Sequence, residues 1–195
     1  MRAAVLVDVG QIEVRDVPCP RIQPHEVRVR VTAVGVCGTD LHIVAGHANY
    51  HRDERGRPVP LAEHPQILGH EIAGMVDEVG AAARDVRPGD RVVIDQGRNC
   101  ISEGRALCEY CGTGDSHQCE LYREHGVTGL PGGLATYLAI PAVNTIRVES
   151  GIDDTVAVMT EPLGCVVHSM ERLMRTPARF ALHGEGSGRI RTALI

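Results

Sequence analysis

Gly35-Val36-Cys37-Gly38-Thr39-Asp40-Leu41-His42, followed by Leu68-Gly69-His70-Glu71, are the stretches on which the fold and chemistry of this 195-residue chain turn. A thiol, an imidazole and a carboxylate are the side-chain types that bind Zn²⁺, and three protein ligands leave a fourth position open. Cys37 reads as a thiolate ligand and His70 as a neutral imidazole ligand. Glu71 either binds directly or lies just behind the metal. Asp40 is placed to accept the other ring N–H of His70, the carboxylate–histidine–zinc arrangement. Thr39 and His42 offer a hydroxyl and an imidazole beside the open position, a route for a proton to solvent. Taken separately, a cysteine in a β-rich core is usually apolar filling, and a His-Glu pair is usually surface. The combination, together with a cysteine lobe further on, carries the reading.

The flanking pattern is mostly β. Val5 alternates with Val7, and Val27, Val29 and Val31 alternate with Arg28 and Arg30, the period of half-buried strands. Ile72 to Val79 and Arg91-Val92-Val93-Ile94 read as strands, the second launched by the Arg87-Pro88-Gly89-Asp90 turn. Leu134 to Ile140 is a further strand after Gly132-Gly133. Residues 46–66 are polar, carry Pro58, Pro60 and Pro65, and read as a surface loop bordering a pocket, with His47, His51 and His64 solvated. Helical spacing shows only near the end. Val156 and Met159 share one face, and Leu163, Val166, Val167, Met170 and Leu173 another, with Pro162 expected to break the run. Met159, Met170 and Met174 read as core packing.

Acidic and basic residues are interspersed at a net charge of −5, which gives no nucleic-acid surface. No apolar run reaches the ~20 residues that a membrane helix needs. The first eight residues are too short and too soon acidic for a signal peptide, so a cytoplasmic protein is expected. In a reducing compartment the cluster Cys100, Cys108, Cys111 and Cys119 points to metal before disulfides.

The chain resembles the N-terminal, GroES-like catalytic domain of the zinc-containing medium-chain alcohol and polyol dehydrogenases. The matching stretches are the two quoted above with Pro88-Gly89-Asp90-Arg91-Val92, Gly132-Gly133-Leu134-Ala135 and Glu161-Pro162-Leu163, in the family's order. The resemblance implies a β-rich α+β fold with a GroES-like β-barrel over residues 1–175 and a structural-zinc lobe at 97–125. It implies Cys37, His70 and either Glu71 or Glu161 around a catalytic zinc. The Glu161-Pro162-Leu163 form is similar to the polyol and threonine dehydrogenase branch, and Cys165 reads as packing. In the family lobe the spacing is C-x₂-C-x₂-C-x₇-C. Cys108, Cys111 and Cys119 match, whereas Arg105 stands at the first position. Cys100 is the expected substitute, with Glu103 or His117 completing a three-cysteine site as the alternative.

The implied reaction is hydride transfer between a secondary alcohol or polyol and NAD or NADP, with no nucleic acid or membrane partner and a homo-oligomer at full length. Gly184-Glu185-Gly186-Ser187-Gly188 lacks the Gly-x-Gly-x-x-Gly spacing of a dinucleotide fold. A Rossmann domain is therefore expected to be largely or wholly absent, with 176–195 a linker and a possible first strand. On that expectation the chain alone is inactive. The reading from a different class is a non-catalytic zinc-binding or interaction module on the same scaffold.

Overall fold

A computed structural model describes residues 1–149 and 151–175. The readings placed on 176–195, including the Gly184–Gly188 cluster, lie outside the described residues. The chain divides into two compact units, Met1–Thr160 and Glu161–Ile195.

The first unit is built on strands. β1 (Arg2–Asp8) and β2 (Gln11–Asp16) form a hairpin. β3 (Glu26–Gly35) and β4 (Glu71–Val79) are the long central strands of an antiparallel sheet completed by β5 (Arg91–Ile94), β8 (Tyr137–Pro141) and β9 (Thr145–Arg147), in the order β8-β3-β4-β5-β9. β6 (Gly97–Arg98) and β7 (Arg123–Glu124) make a short ribbon beside the cysteine segment.

The valine alternation does what a period of two requires. Val27 and Val29 are wholly buried and pack with Ile72, Val76, Val92, Ile94, Leu138 and Ile140. On the opposite face Arg28 pairs with Asp77 and Glu78 and lies over the ring of Tyr137. The last expected strand divides in two. Residues 137–141 pair with β3, while Leu134 and Ala135 turn to β1, with Ala4 N–H donating to Leu134 O at 2.8 Å.

Two helical features depart from the sequence reading. α1 (Gly38–Val44) lies in the stretch after Cys37, where no helical period was legible. Its start is local: the Cys37 N–H donates to Asp40 Oδ2 at 2.9 Å, satisfying one of the donors that a helix N-terminus leaves open. Its seat is tertiary, because Ile43 packs with Leu6, Leu68 and Val127. Further on, the break falls at residues 158–159 and not at Pro162. α3 (Asp154–Ala157) is capped by the Asp153 carboxylate, which accepts from Thr155 N–H at 3.0 Å. α4 (Thr160–Arg175) carries Pro162 in its first turn, where the missing N–H has no helical partner to lose. Met159, Met170 and Met174 are more than half exposed and so are not core positions. α2 (Glu109–Gly112) is a single turn in the cysteine segment.

Candidate metal centre

Cys37 is the N-cap residue of α1, and His70 and Glu71 stand at the entry to β4. One donor atom from each lies within 4.8 Å of the other two. Cys37 is half-buried, whereas His70 and Glu71 are buried.

Asp40 joins the two segments. Its Oδ2 accepts from Cys37 N–H at 2.9 Å and its Oδ1 from Gly69 N–H at 3.0 Å. Oδ1 also lies 3.6 Å from His70 Nδ1. Burial pushes the Asp40 carboxyl up, but the bonds from His70, Cys37 and Gly69 outweigh it and hold the group below the usual carboxylate range. The sequence suggested Asp40 as a partner of His70. Its anchoring of both the Cys37 and the Gly69 backbone had no sequence signal, because the Gly69 N–H is 29 positions away.

Two glycines make room for this set. Gly69 has φ +89°, and a Cβ there would meet Val34 Cγ1 at 2.8 Å. Gly35 stands opposite Glu71 in the β3–β4 register, and the Glu71 carboxylate fills the place where a Gly35 side chain would begin. An interior strand glycine is the signal that could have exposed this close approach. Gly35→Ala is therefore expected to keep the sheet but displace Glu71. Chelator competition should show metal affinity at this centre falling by roughly 10–100-fold, the scale of a lost supporting contact. Unchanged affinity would remove Glu71 from the set.

Thr39 and His42 are three positions apart on α1 and so share a helical face. Thr39 Oγ1 is 3.7 Å from Cys37 Sγ. His42 is exposed, with the His47 ring centroid 5.9 Å away. Glu161 stands in the first turn of α4, in the second unit, with its Oε1 3.8 Å from Cys165 Sγ. Its place in the ligand set stays an expectation. The 46–66 loop lines a cavity of about 340 Å³ with Asp8, Val9 and Ile43.

The second cluster is all sulfur. Cys100, Cys108, Cys111 and Cys119 bring their Sγ atoms within 4.8 Å of one another, with Cys100 to Cys119 at 3.6 Å. The chain from Cys100 closes on itself where Arg105 N–H donates to Cys100 O at 2.9 Å. Cys100 and position 105 are thus the two ends of one turn, with Cys100 buried and Arg105 exposed. Asn99 and Ser102 brace that turn: Asn99 Oδ1 accepts from Ile101 N–H and Ser102 N–H, and Ser102 Oγ accepts from Asn99 N–H. Glu103 is instead engaged by Arg98, and His117 sits in a one-turn 3₁₀ helix outside the sulfur cluster.

Backbone N–H bonds from Cys111 and Glu120 pull the Cys108 thiol down to about 6, while burial pushes Cys111 up to about 12. One thiolate forms readily, whereas the Cys111 and Cys100 thiols resist ionisation. A dication balances that accumulating charge, and four converging thiolates fit tetrahedral zinc. The thiolate, imidazole and carboxylate of the first centre fit the same ion with a position to spare.

Residues 23–150 match the alcohol dehydrogenase GroES-like domain family. The chain is similar to the L-threonine 3-dehydrogenase of Anaeromyxobacter sp. (strain Fw109-5), at 38% identity over 88% of this chain and 44% of that protein. It is 34% identical to D-arabinitol dehydrogenase 1 of Uromyces fabae, over 84% of this chain and 41% of the relative. Among solved structures, an alcohol dehydrogenase from E. coli CFT073 in complex with NADH superposes with a TM-score of 0.74 at 28% identity. That match covers 88% of this chain and 45% of the solved one. The chain thus spans less than half the length of these relatives. Among the described residues no helix is long and apolar enough to cross a membrane.

Proposed function

Because this chain belongs to the zinc-containing medium-chain alcohol and polyol dehydrogenases, we propose that it forms the metal-binding side of an oxidoreductase. The reaction is hydride transfer between a secondary alcohol or polyol and NAD or NADP. The observation that carries this reading is the convergence of Cys37, His70 and Glu71 at the half-buried N-cap of α1. The names of the threonine and arabinitol dehydrogenase relatives support the substrate class.

In this reading residues 1–175 are the catalytic domain. Cys37 and His70, with Glu71 or Glu161 as the carboxylate, hold a catalytic zinc, and Cys100, Cys108, Cys111 and Cys119 hold a structural one. A zinc ion at the first centre supplies Lewis acidity toward a hydroxyl oxygen. Asp40 keeps the Cys37 and His70 segments in register. Thr39 Oγ1, beside Cys37, would accept the hydroxyl proton as it gives up its own, and the exposed His42 on the same face of α1 would receive the relayed proton and release one to solvent. The nicotinamide is held by a dinucleotide-binding domain outside residues 1–175. The full-length enzyme is a cytoplasmic homo-oligomer that turns over a small alcohol or polyol, with neither nucleic acid nor membrane as partner.

Metal analysis tests this directly. Two zinc ions per chain are expected, one of which takes an exogenous imidazole while the other stays inert. A single inert zinc would favour a non-catalytic zinc-binding or interaction module on the same scaffold. With NAD, NADP and a polyol panel, the 195-residue chain should show almost no turnover. Robust activity would overturn the division of the active site.

A further inference from the structure

The His51–His64 pair lies outside the metal centres and has no part in the proposed reaction. The 46–66 loop connects the end of α1 to the segment that delivers His70, so both of its ends lead to ligand-bearing elements. Within it, residues 49–59 close into a small hairpin. Val59 N–H donates to His51 O at 2.9 Å, Asn49 Nδ2 donates to Val59 O at 2.8 Å, and Asn49 Oδ1 accepts from His51 N–H at 3.0 Å. The hairpin tip is tied by Arg57 to Asp53.

The His51 ring reaches off this hairpin onto Gly129, which has φ +87°, and the ring fills the space where a Gly129 side chain would begin. Gly129 belongs to the turn whose Gly126 packs against the Gly69 backbone, one residue from His70. The His51 ring therefore ties the hairpin to the segment behind the metal centre, while Leu61 at the loop's far end packs with Leu68 and Val127.

Its surroundings are made for a neutral ring. Nδ1 is buried with no hydrogen-bond partner among the described residues. The His64 ring meets it edge-on, with centroids 4.6 Å apart. The charged groups acting on it are His64 from the far arm of the loop and Arg123 from β7, both cationic when protonated. No carboxylate is among the groups acting on it; of the carboxylates in the same segments, Asp53 holds Arg57 and Glu124 accepts from the Tyr122 hydroxyl.

We propose that His51 is a pH-sensitive latch: neutral, it seats the 46–66 loop on Gly129, and protonated, it leaves that seat and frees the hairpin. Burial first, then His64 and Arg123, hold the His51 pKa below its ordinary value. The sign follows. A group with a lowered folded pKa binds more protons when released, so the seated state is at full strength above the ordinary value near 6.5. It weakens as pH falls from there through the seated pKa.

Histidine NMR titration and amide exchange, corrected for intrinsic rates, read this out on the full chain from pH 8 to 5. His51 should titrate below the ordinary value. Protection of the 51–59 amides should fall by about tenfold for each unit by which its pKa is lowered. His51→Phe keeps a ring on Gly129 that cannot charge, so its protection should stay flat. His64→Gln should move the His51 titration upward. Acid also strips zinc from thiolate and imidazole ligands, which His51→Phe separates: loss of 51–59 protection at the wild-type pH in that variant would overturn the latch. Should that variant fail to fold, the wild-type titration decides alone, and an ordinary His51 pKa sinks the proposal. Neither readout depends on hydride transfer, so the enzymatic reading and the latch fail separately.

Discussion

Cys119→Ser is expected to remove one of two zinc ions and to unfold residues 97–125 while the five-stranded sheet stays folded. The lobe holds little regular structure, only the single turn of α2, a 3₁₀ turn and the two-residue strands β6 and β7. Its interior is the cysteines themselves with Tyr122 packed against them. A segment without an apolar core of its own depends on its cross-link, and metal binding is then folding free energy. Cys119 is the best place to cut, since its sulfur approaches both Cys100 at 3.6 Å and Cys108 at 3.9 Å. Loss of a direct ligand should weaken metal binding beyond the roughly 10–100-fold of a lost supporting contact. Metal stoichiometry and amide exchange give the check. The main sheet should keep its protection, because Val27, Val29, Ile72 and Ile140 pack with no lobe residue in their cluster. A variant that still carries two zincs with a protected lobe would show that Cys119 is no ligand.

Asp40→Ala should be the most damaging single change at the other centre. It strands the Gly69 N–H, which is buried, and the Cys37 N–H, which is partly buried. Each orphaned donor costs about 1–3 kcal/mol, so a loss of roughly 2–6 kcal/mol is expected. At about 2–4 °C per kcal/mol for a chain of this size, the melting temperature should drop by roughly 4–24 °C. Metal affinity should fall as well, because the side chain that faces His70 Nδ1 is gone. Asp40→Asn keeps one acceptor oxygen and should land between wild type and alanine. The pH dependence has a defined direction. The folded Asp40 pKa is lowered from 3.8, so its contribution is present above that unfolded value and is lost as pH falls through the folded one. A thermal melt of Asp40→Ala matching wild type would show that the bridge between α1 and Gly69 carries no stability.

The sheet was legible because its signals are short-range. Val27-Arg28-Val29-Arg30-Val31 alternates at the period that separates a buried face from a solvated one, and Pro88-Gly89-Asp90 announces the strand that follows. The helix at 38–44 was not legible, since only Ile43 and Asp40 of its seven residues are buried. No apolar stripe existed to be seen, and the helix is held by one carboxylate and one anchor. Met170 and Met174 of α4 failed for the opposite reason: they have the period of a core stripe and are exposed. Periodicity records which residues share a face, not what covers it.

By itself the sequence determined the strand pattern, the family and the kinds of donor atom, because each is written in neighbouring residues and their spacing. Only the tertiary structure decided which donors meet. Gly35 and Glu71 are adjacent because β3 and β4 pair in that register. Asp40 reaches Gly69 because Ile43 packs α1 against Leu68. Cys100 joins the sulfur cluster because a turn closed at Arg105 brings it to the other three cysteines. Convergence of donor atoms is a matter of a few ångströms set by packing and register, and linear spacing carries no such distance.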